Sequence, residues 1–163
     1  MKVLLVNPPI TLSQERTIGP VIKNLFYNSA PLGLCYLAAV LEKKGILVKI
    51  IDAAVENLRV SQIRSRYRTF NPEIVGISST TYSFESTVGI AQVIKEENAN
   101  TKIIIGGSHV TAIPRSILPY KSFDYGVLGE GEMTLLELID ALEFKRDLRE
   151  VKGIVYRNDS QLC

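Results

Sequence analysis

Residues Thr101 to Thr111, TKIIIGGSHVT, restrict this chain more than any other stretch. A run of isoleucines enters a pair of glycines, and the Ser-His-Val-Thr behind them reads as a helix start. An apolar run without alternation fits a strand buried on both faces, which is the situation in a parallel sheet. Paired glycines at its carboxyl end remove two Cβ atoms where ligands of open α/β sheets lie, so a bulky group could touch backbone at Gly106 and Gly107. The same pair also suits a plain βα turn that needs positive φ at one glycine. Both readings stand at this point.

The rest of the chain repeats this strand–helix unit. Lys2 to Asn7 is strand one, stopped by Pro8-Pro9. Ile10 to Ala30 shows no periodicity, and a connection of roughly twenty residues in a compact domain is usually functional or disordered. Pro31 opens a helix whose Leu34, Leu37, Ala38 and Leu41 share one face, and Gly45 ends it. Leu47 to Ile51 is strand two, closed by Asp52. Val60 to Phe70 is a helix carrying Arg64, Arg66 and Arg68, read with Arg59 as a solvated basic face. Glu73 to Ser78 is strand three, and Phe84 to Glu97 is a helix whose Gly89 hints at close packing on the sheet. Lys102 to Ile105 is strand four, with a short helix near Thr111 to Leu118. Phe123 to Leu128 is strand five, Met133 to Phe144 the last helix, and Gly153 to Arg157 a sixth short strand.

This alternation with short connections predicts a doubly wound α/β fold, a Rossmann-type, mostly parallel sheet. Five such strands commonly take the flavodoxin-like order 2-1-3-4-5, here with a short extra strand at the carboxyl terminus. Ligands of such folds bind outside the carboxyl ends of the strands. The segments there are Asn7-Pro8-Pro9, Ser78 to Thr81, Gly106 to His109 and Gly129 to Glu132.

Composition narrows the function. At 163 residues the chain has room for one well-filled core, and a net charge of +2 is too small to argue for nucleic acid. No stretch approaches the ~18 apolar residues of a membrane span, and MKVLLVNPP reads as a strand rather than a signal peptide. Two cysteines, Cys35 and Cys163, make neither a disulfide framework nor a metal site, and a reducing cytoplasm is the simplest location. Cys35 reads as helix packing.

Several chemistries lack their residues. A phosphoacceptor receiver needs acids after strand one and an aspartate after strand three, and this chain has Asn7-Pro8-Pro9 and Ser78-Ser79 there. The two prolines also remove donors that a flavin phosphate loop would use. Neither GxGxxG after strand one nor GxxxxGK[ST] occurs. With one histidine in the chain, hydrolysis through Ser78 or Ser79 lacks its partners. A backbone-lined crevice with little acid–base machinery suits a large preformed cofactor that carries the chemistry itself.

The segments LLVNPP, SAPLGLCYLAAVLEKKG, VKIIDA, NPEIVGISSTT, IIIGGSHVT and DYGVLGEGE, in this order, resemble the N-terminal cobalamin-binding domain of radical-SAM enzymes. The similarity runs from Lys2 to about Arg157. It implies a flavodoxin-like sheet with cobalamin's nucleotide tail inserted at the carboxyl ends of the strands. By resemblance, Ser78 and Ser79 meet the tail, Gly106 and Gly107 make room for it, and Gly129, Glu130 and Gly131 line its far end. Leu32 and Gly33 would lie near the corrin. Asn7, Pro8, Pro9, Thr80, Ser108 and His109 complete the expected cofactor-binding set, with no catalytic and no metal-ligating residue.

Two departures shape the expectation. Related cobalamin mutases and methionine synthase carry DxHxxG after strand one, whose histidine ligates cobalt, whereas this chain has Asn7-Pro8-Pro9-Ile10. Cobalamin is therefore expected with its dimethylbenzimidazole off cobalt and no histidine in its place. His109 reads as a helix-start residue rather than a ligand. The CxxxCxxC triad that holds a four-iron cluster is also missing. Residues 1–157 are thus expected to form the cobalamin domain and 158–163 to begin a linker toward an absent radical-SAM domain. S-adenosylmethionine and the 4Fe-4S cluster would belong to that domain, in a methyltransferase or a related C–C bond-forming or rearranging enzyme. By itself this chain would bind cobalamin without catalysing a reaction. The alternatives are a nucleotide or sugar-nucleotide domain with a diphosphate at Gly106-Gly107, and a docking domain that has lost the cofactor.

Overall fold

A computed structural model of the protein describes residues 1–9, 30–158 and 161–162. The unpatterned connection, over residues 10–29, lies outside the described residues, as does Cys163. Strands β1 (Lys2–Asn7), β2 (Leu47–Asp52), β3 (Ile74–Ser78), β4 (Lys102–Gly106) and β5 (Tyr125–Val127) pair in parallel in the order β2-β1-β3-β4-β5, as expected. The extra strand, β6 (Ile154–Asn158), runs antiparallel against β5 and continues into a hairpin with β7 (Gln161–Leu162), which the sequence reading lacks.

The helices are α1 (Leu32–Lys43), α2 (Val60–Phe70), α3 (Phe84–Glu97), α4 (Ser108–Ala112) and α5 (Glu132–Glu143). Right-handed crossovers place α1 and α5 on one face, over Val3, Leu5, Ile74, Ile104 and Val127. Helices α2, α3 and α4 cover the other face, over Leu4, Val6, Val75, Ile77, Ile103 and Ile105. The strands thus read as continuous apolar runs because alternate residues meet different helical layers.

Local chemistry sets the ends. Pro31 caps α1, and Gly45 leaves it with φ +76°. Asn71 ends α2 in the left-handed region, and Pro72 follows it into β3. The basic face of α2 is solvated but paired: Arg64 reaches Glu96 and Glu97, Arg66 reaches Glu56, and Arg68 reaches Glu97. The guanidinium hydrogen bonds hold the Glu56 and Glu97 carboxyls below their ordinary range.

Two expectations are corrected. Cys35 is exposed on the outer side of α1 rather than packed. Gly89 is not a close-packing site, since a Cβ there would meet nothing within 4 Å. The close approach lies in the sheet itself, at Gly76, where a Cβ would stand 2.8 Å from Leu5 Cδ2. No helix among the described residues is long and apolar enough to cross a membrane.

Candidate functional site

Parallel register lines up the carboxyl ends of the strands. Asn7 lies opposite Asp52 and Ser78 opposite Gly106, while one pleat inward Leu5 faces Gly76, which in turn faces Ile104. Alternation turns these residues toward the α1 and α5 layer. There the two helices leave an opening of about 280 Å³. Its floor is Leu5, Gly76 and Ile104, and its walls are Leu34 and Leu37 of α1 with Val127 and Leu135. Asn7, Ser78, Gly106, Gly107 and the Gly129–Glu132 turn form its rim on one side, and Pro31, Leu32 and Gly33 on the other. Leu37 and the turn approach closely, since a Cβ on Gly131 would lie 3.4 Å from Leu37 Cδ2.

The two glycines that end β4 and begin the turn to α4 have different duties. A Cβ on Gly106 would meet only Val127, at ordinary contact distances of 3.7 and 3.9 Å, so it would stand at the cavity without striking the fold. Gly107 has φ +100°, and a Cβ there would lie 2.6 Å from the Ser79 carbonyl oxygen and 2.9 Å from its nitrogen. Gly106 leaves space for a ligand, whereas Gly107 satisfies the backbone. The turn reading holds at Gly107, and Gly106 beside it leaves the open space that the ligand reading needs.

Rim polar groups are mostly engaged. Asn7 Nδ2 donates to Asp52 Oδ1 at 2.8 Å, and the same oxygen accepts from Val55 N. The Gly106 carbonyl accepts from Ser79 N, the Gly107 carbonyl from Thr111, and Gly129 N donates to Thr111 Oγ1. The Ser78 hydroxyl has no hydrogen-bond partner among the described residues.

Nine of the residues chosen from sequence line this cavity: Asn7, Leu32, Gly33, Ser78, Gly106, Gly107, Gly129, Glu130 and Gly131. Pro8, Pro9, Ser79, Thr80, Ser108 and His109 do not. Ser79 is buried on the far side, where its backbone braces Gly106 and His109. Thr80 and Ser83 bond one another ahead of α3. His109 lies one residue inside α4, 7% exposed, with its ring 4.1 Å from that of Phe84 and Nδ1 3.2 Å from Thr81 Oγ1. Burial pushes its imidazole below the ordinary range.

Sequence reasoning missed Leu5, Gly76, Leu34, Leu37, Val127 and Leu135 as cavity residues. Most carry no signal that separates a cavity wall from a core. Gly76 does, because a glycine inside a β-branched strand marks a close approach.

A doubly wound domain with a partly apolar cavity at its switch point defines a class of α/β proteins that bind ligands at the carboxyl ends of their strands. The comparisons specify it. Residues 18–139 match the B12 binding domain model, so the chain belongs to the B12-binding domain family. An uncharacterized methyltransferase of Pyrococcus horikoshii is 36% identical over 99% of this chain and 34% of its own length. An anaerobic magnesium-protoporphyrin IX monomethyl ester cyclase of Synechocystis is 32% identical over 99% of the chain and 32% of that protein. Among solved structures, the cobalamin-dependent S-adenosylmethionine radical enzyme OxsB, with aqua-cobalamin and S-adenosylmethionine bound, superposes with a TM-score of 0.79. It is 25% identical over 99% of this chain and 21% of OxsB. The chain spans about a third of the length of the curated relatives it matches.

Proposed function

We propose that this chain is the cobalamin-binding module of a radical-SAM enzyme, a methyltransferase or a related C–C bond-forming or rearranging enzyme. The observation that carries this reading is the cavity between α1 and α5. At about 280 Å³ it falls just below the ~300–1,000 Å³ of whole-ligand sites, and so it suits one appendage of a larger cofactor. Gly106 and Gly76 remove side chains where that appendage would enter and rest. Leu34, Leu37 and Leu135 would hold a flat apolar heterocycle by contact and exclude water from it. Leu32, 65% exposed beside Gly33, offers apolar surface for the corrin outside the cavity.

Bound cobalamin supplies a cobalt centre able to carry a methyl group. S-adenosylmethionine and a 4Fe-4S cluster would come from a further domain. The relatives differ in reaction, a methyltransferase and a cyclase, which favours assigning substrate choice to that domain. The base-off state without a histidine ligand is supported by His109 standing apart from the cavity, buried against Phe84.

Visible titration with hydroxocobalamin, followed by desalting, tests the proposal. Retained cofactor with a base-off spectrum is expected. Loss of all colour overturns cobalamin binding by this chain, and a nitrogen-ligated spectrum overturns the base-off assignment.

The nucleotide reading has less behind it. The amino end of α4 is a single short turn whose His109 N–H already donates to the Ser79 carbonyl. Asp52, the candidate ribose acid, is occupied by Asn7 and Val55 N.

A further inference from the structure

We infer that the cavity discriminates among cobamides by the polarity of the heterocycle on the nucleotide tail, accepting benzimidazoles and excluding purines. The inference rests on the cobalamin reading and adds a specificity to it. Cobamides share the corrin ring and differ in that terminal base, so a domain that takes the base into a pocket can choose between them.

The polar balance inside the cavity decides the choice. Leu5, Ile104, Leu34, Leu37, Val127 and Leu135 offer no hydrogen-bonding side chain. At the rim the Gly106 and Gly107 carbonyls already accept and Gly129 N already donates, and the Glu130 and Glu132 carboxylates accept hydrogen bonds but donate none. Asn7 is tied to Asp52. Among the described residues, the unpartnered side-chain donor on the sheet side is the Ser78 hydroxyl, on the cavity face of β3. One hydroxyl can serve one ring nitrogen.

Dimethylbenzimidazole released from cobalt presents one free ring nitrogen and two methyl groups. Adenine on a cobamide tail presents three ring nitrogens and an exocyclic amine. The two bases are close in size, so shape separates them little. One hydroxyl leaves two of the three purine ring nitrogens without a side-chain donor beside leucine and isoleucine, each weakening binding by about ten-fold. The methyls of the benzimidazole gain from the same surface.

Equilibrium titration of the 163-residue chain with cobalamin, adeninylcobamide and tail-less cobinamide tests this. Cobalamin is expected to bind about a hundred-fold more tightly than adeninylcobamide, with cobinamide weakest. Equal affinity for the two cobamides overturns the selectivity and leaves the cobalamin reading standing. Retention of neither overturns that reading and the selectivity with it. Cobinamide binding as tightly as cobalamin overturns the placement of the base in the cavity. Leu37→Gln adds an amide to a half-buried wall position of α1, and is expected to narrow the cobalamin-to-adeninylcobamide ratio several-fold. Its denaturation midpoint is measured in parallel, and an unchanged ratio in the folded variant overturns the polarity argument.

Discussion

The two faces of the sheet are built from the same kind of strand and similar amphipathic helices, yet among the described residues one is filled and the other leaves a cavity. On the α2, α3 and α4 side, aromatic rings fill the space: Phe84 stacks on His109 and packs edge-on to Tyr120, with Phe123 completing the cluster. On the α1 and α5 side, the amino-terminal half is equally tight, with Val3, Leu41 and Leu138 fully buried. Its carboxyl half instead carries Gly76, Gly106, Gly107, Gly129 and Gly131 at the cavity. The cavity in this fold is therefore a local withdrawal of side-chain volume from one face, while the opposite face is filled.

The largest expected break in the comparison is on the filled face. Phe123→Ala removes a fully buried ring from the aromatic cluster, and should cost about 3–5 kcal/mol of unfolding free energy in urea titration. A cost near that of an exposed site would mean that this face is not the filled one. Next comes Gly107→Ala, which forces a Cβ toward the Ser79 backbone at positive φ. It should cost about 2–3 kcal/mol, and any loss of cobalamin would follow the loss of fold.

Gly106→Val, one residue away, should behave in the opposite manner. Valine suits a strand and meets only Val127, so stability should change by about 1 kcal/mol or less while cobalamin retention is abolished. Normal binding by this variant would remove Gly106 from the pocket.

The smallest effect concerns pH. Burial disfavours the charged His109 imidazole in the folded state and holds its pKa below the ordinary value of 6.5. The unfolded chain therefore takes up the proton first, and the stability present above 6.5 is lost as pH falls through the folded-state value. His109→Gln should flatten the decline of unfolding free energy between about pH 7 and about pH 5, where carboxylates contribute little. The spectrum of bound cobalamin should not change in this variant. A spectral shift would make His109 a ligand.

Much of this was legible in the chain. Strand order and four of the helices followed from unbroken apolar runs, proline stops and the strand–helix alternation, because local periodicity and crossover handedness act at short range. The helix expected near Thr111 to Leu118 is instead α4 at Ser108–Ala112, followed by a separate 3-10 turn at Pro114–Ile117. The glycine pair announced a special turn, and sequence left its two readings open. Register separates the two residues: β4 ends at Gly106, whose space faces the cavity, and the next residue turns back against Ser79. The serine pair divides in the same way, since alternation sends Ser78 to the cavity and Ser79 to the opposite side.

The residues by themselves thus determined a parallel, doubly wound sheet and the four strand ends at which a ligand would lie. Tertiary structure alone decided that Leu34, Leu37 and Leu135 stand apart enough to leave a slot. It also decided that His109 belongs to an aromatic core and Cys35 to the surface. Periodicity records which side of an element is apolar. How closely two apolar faces approach depends on the side chains of elements distant in sequence, and here on the glycines set between them.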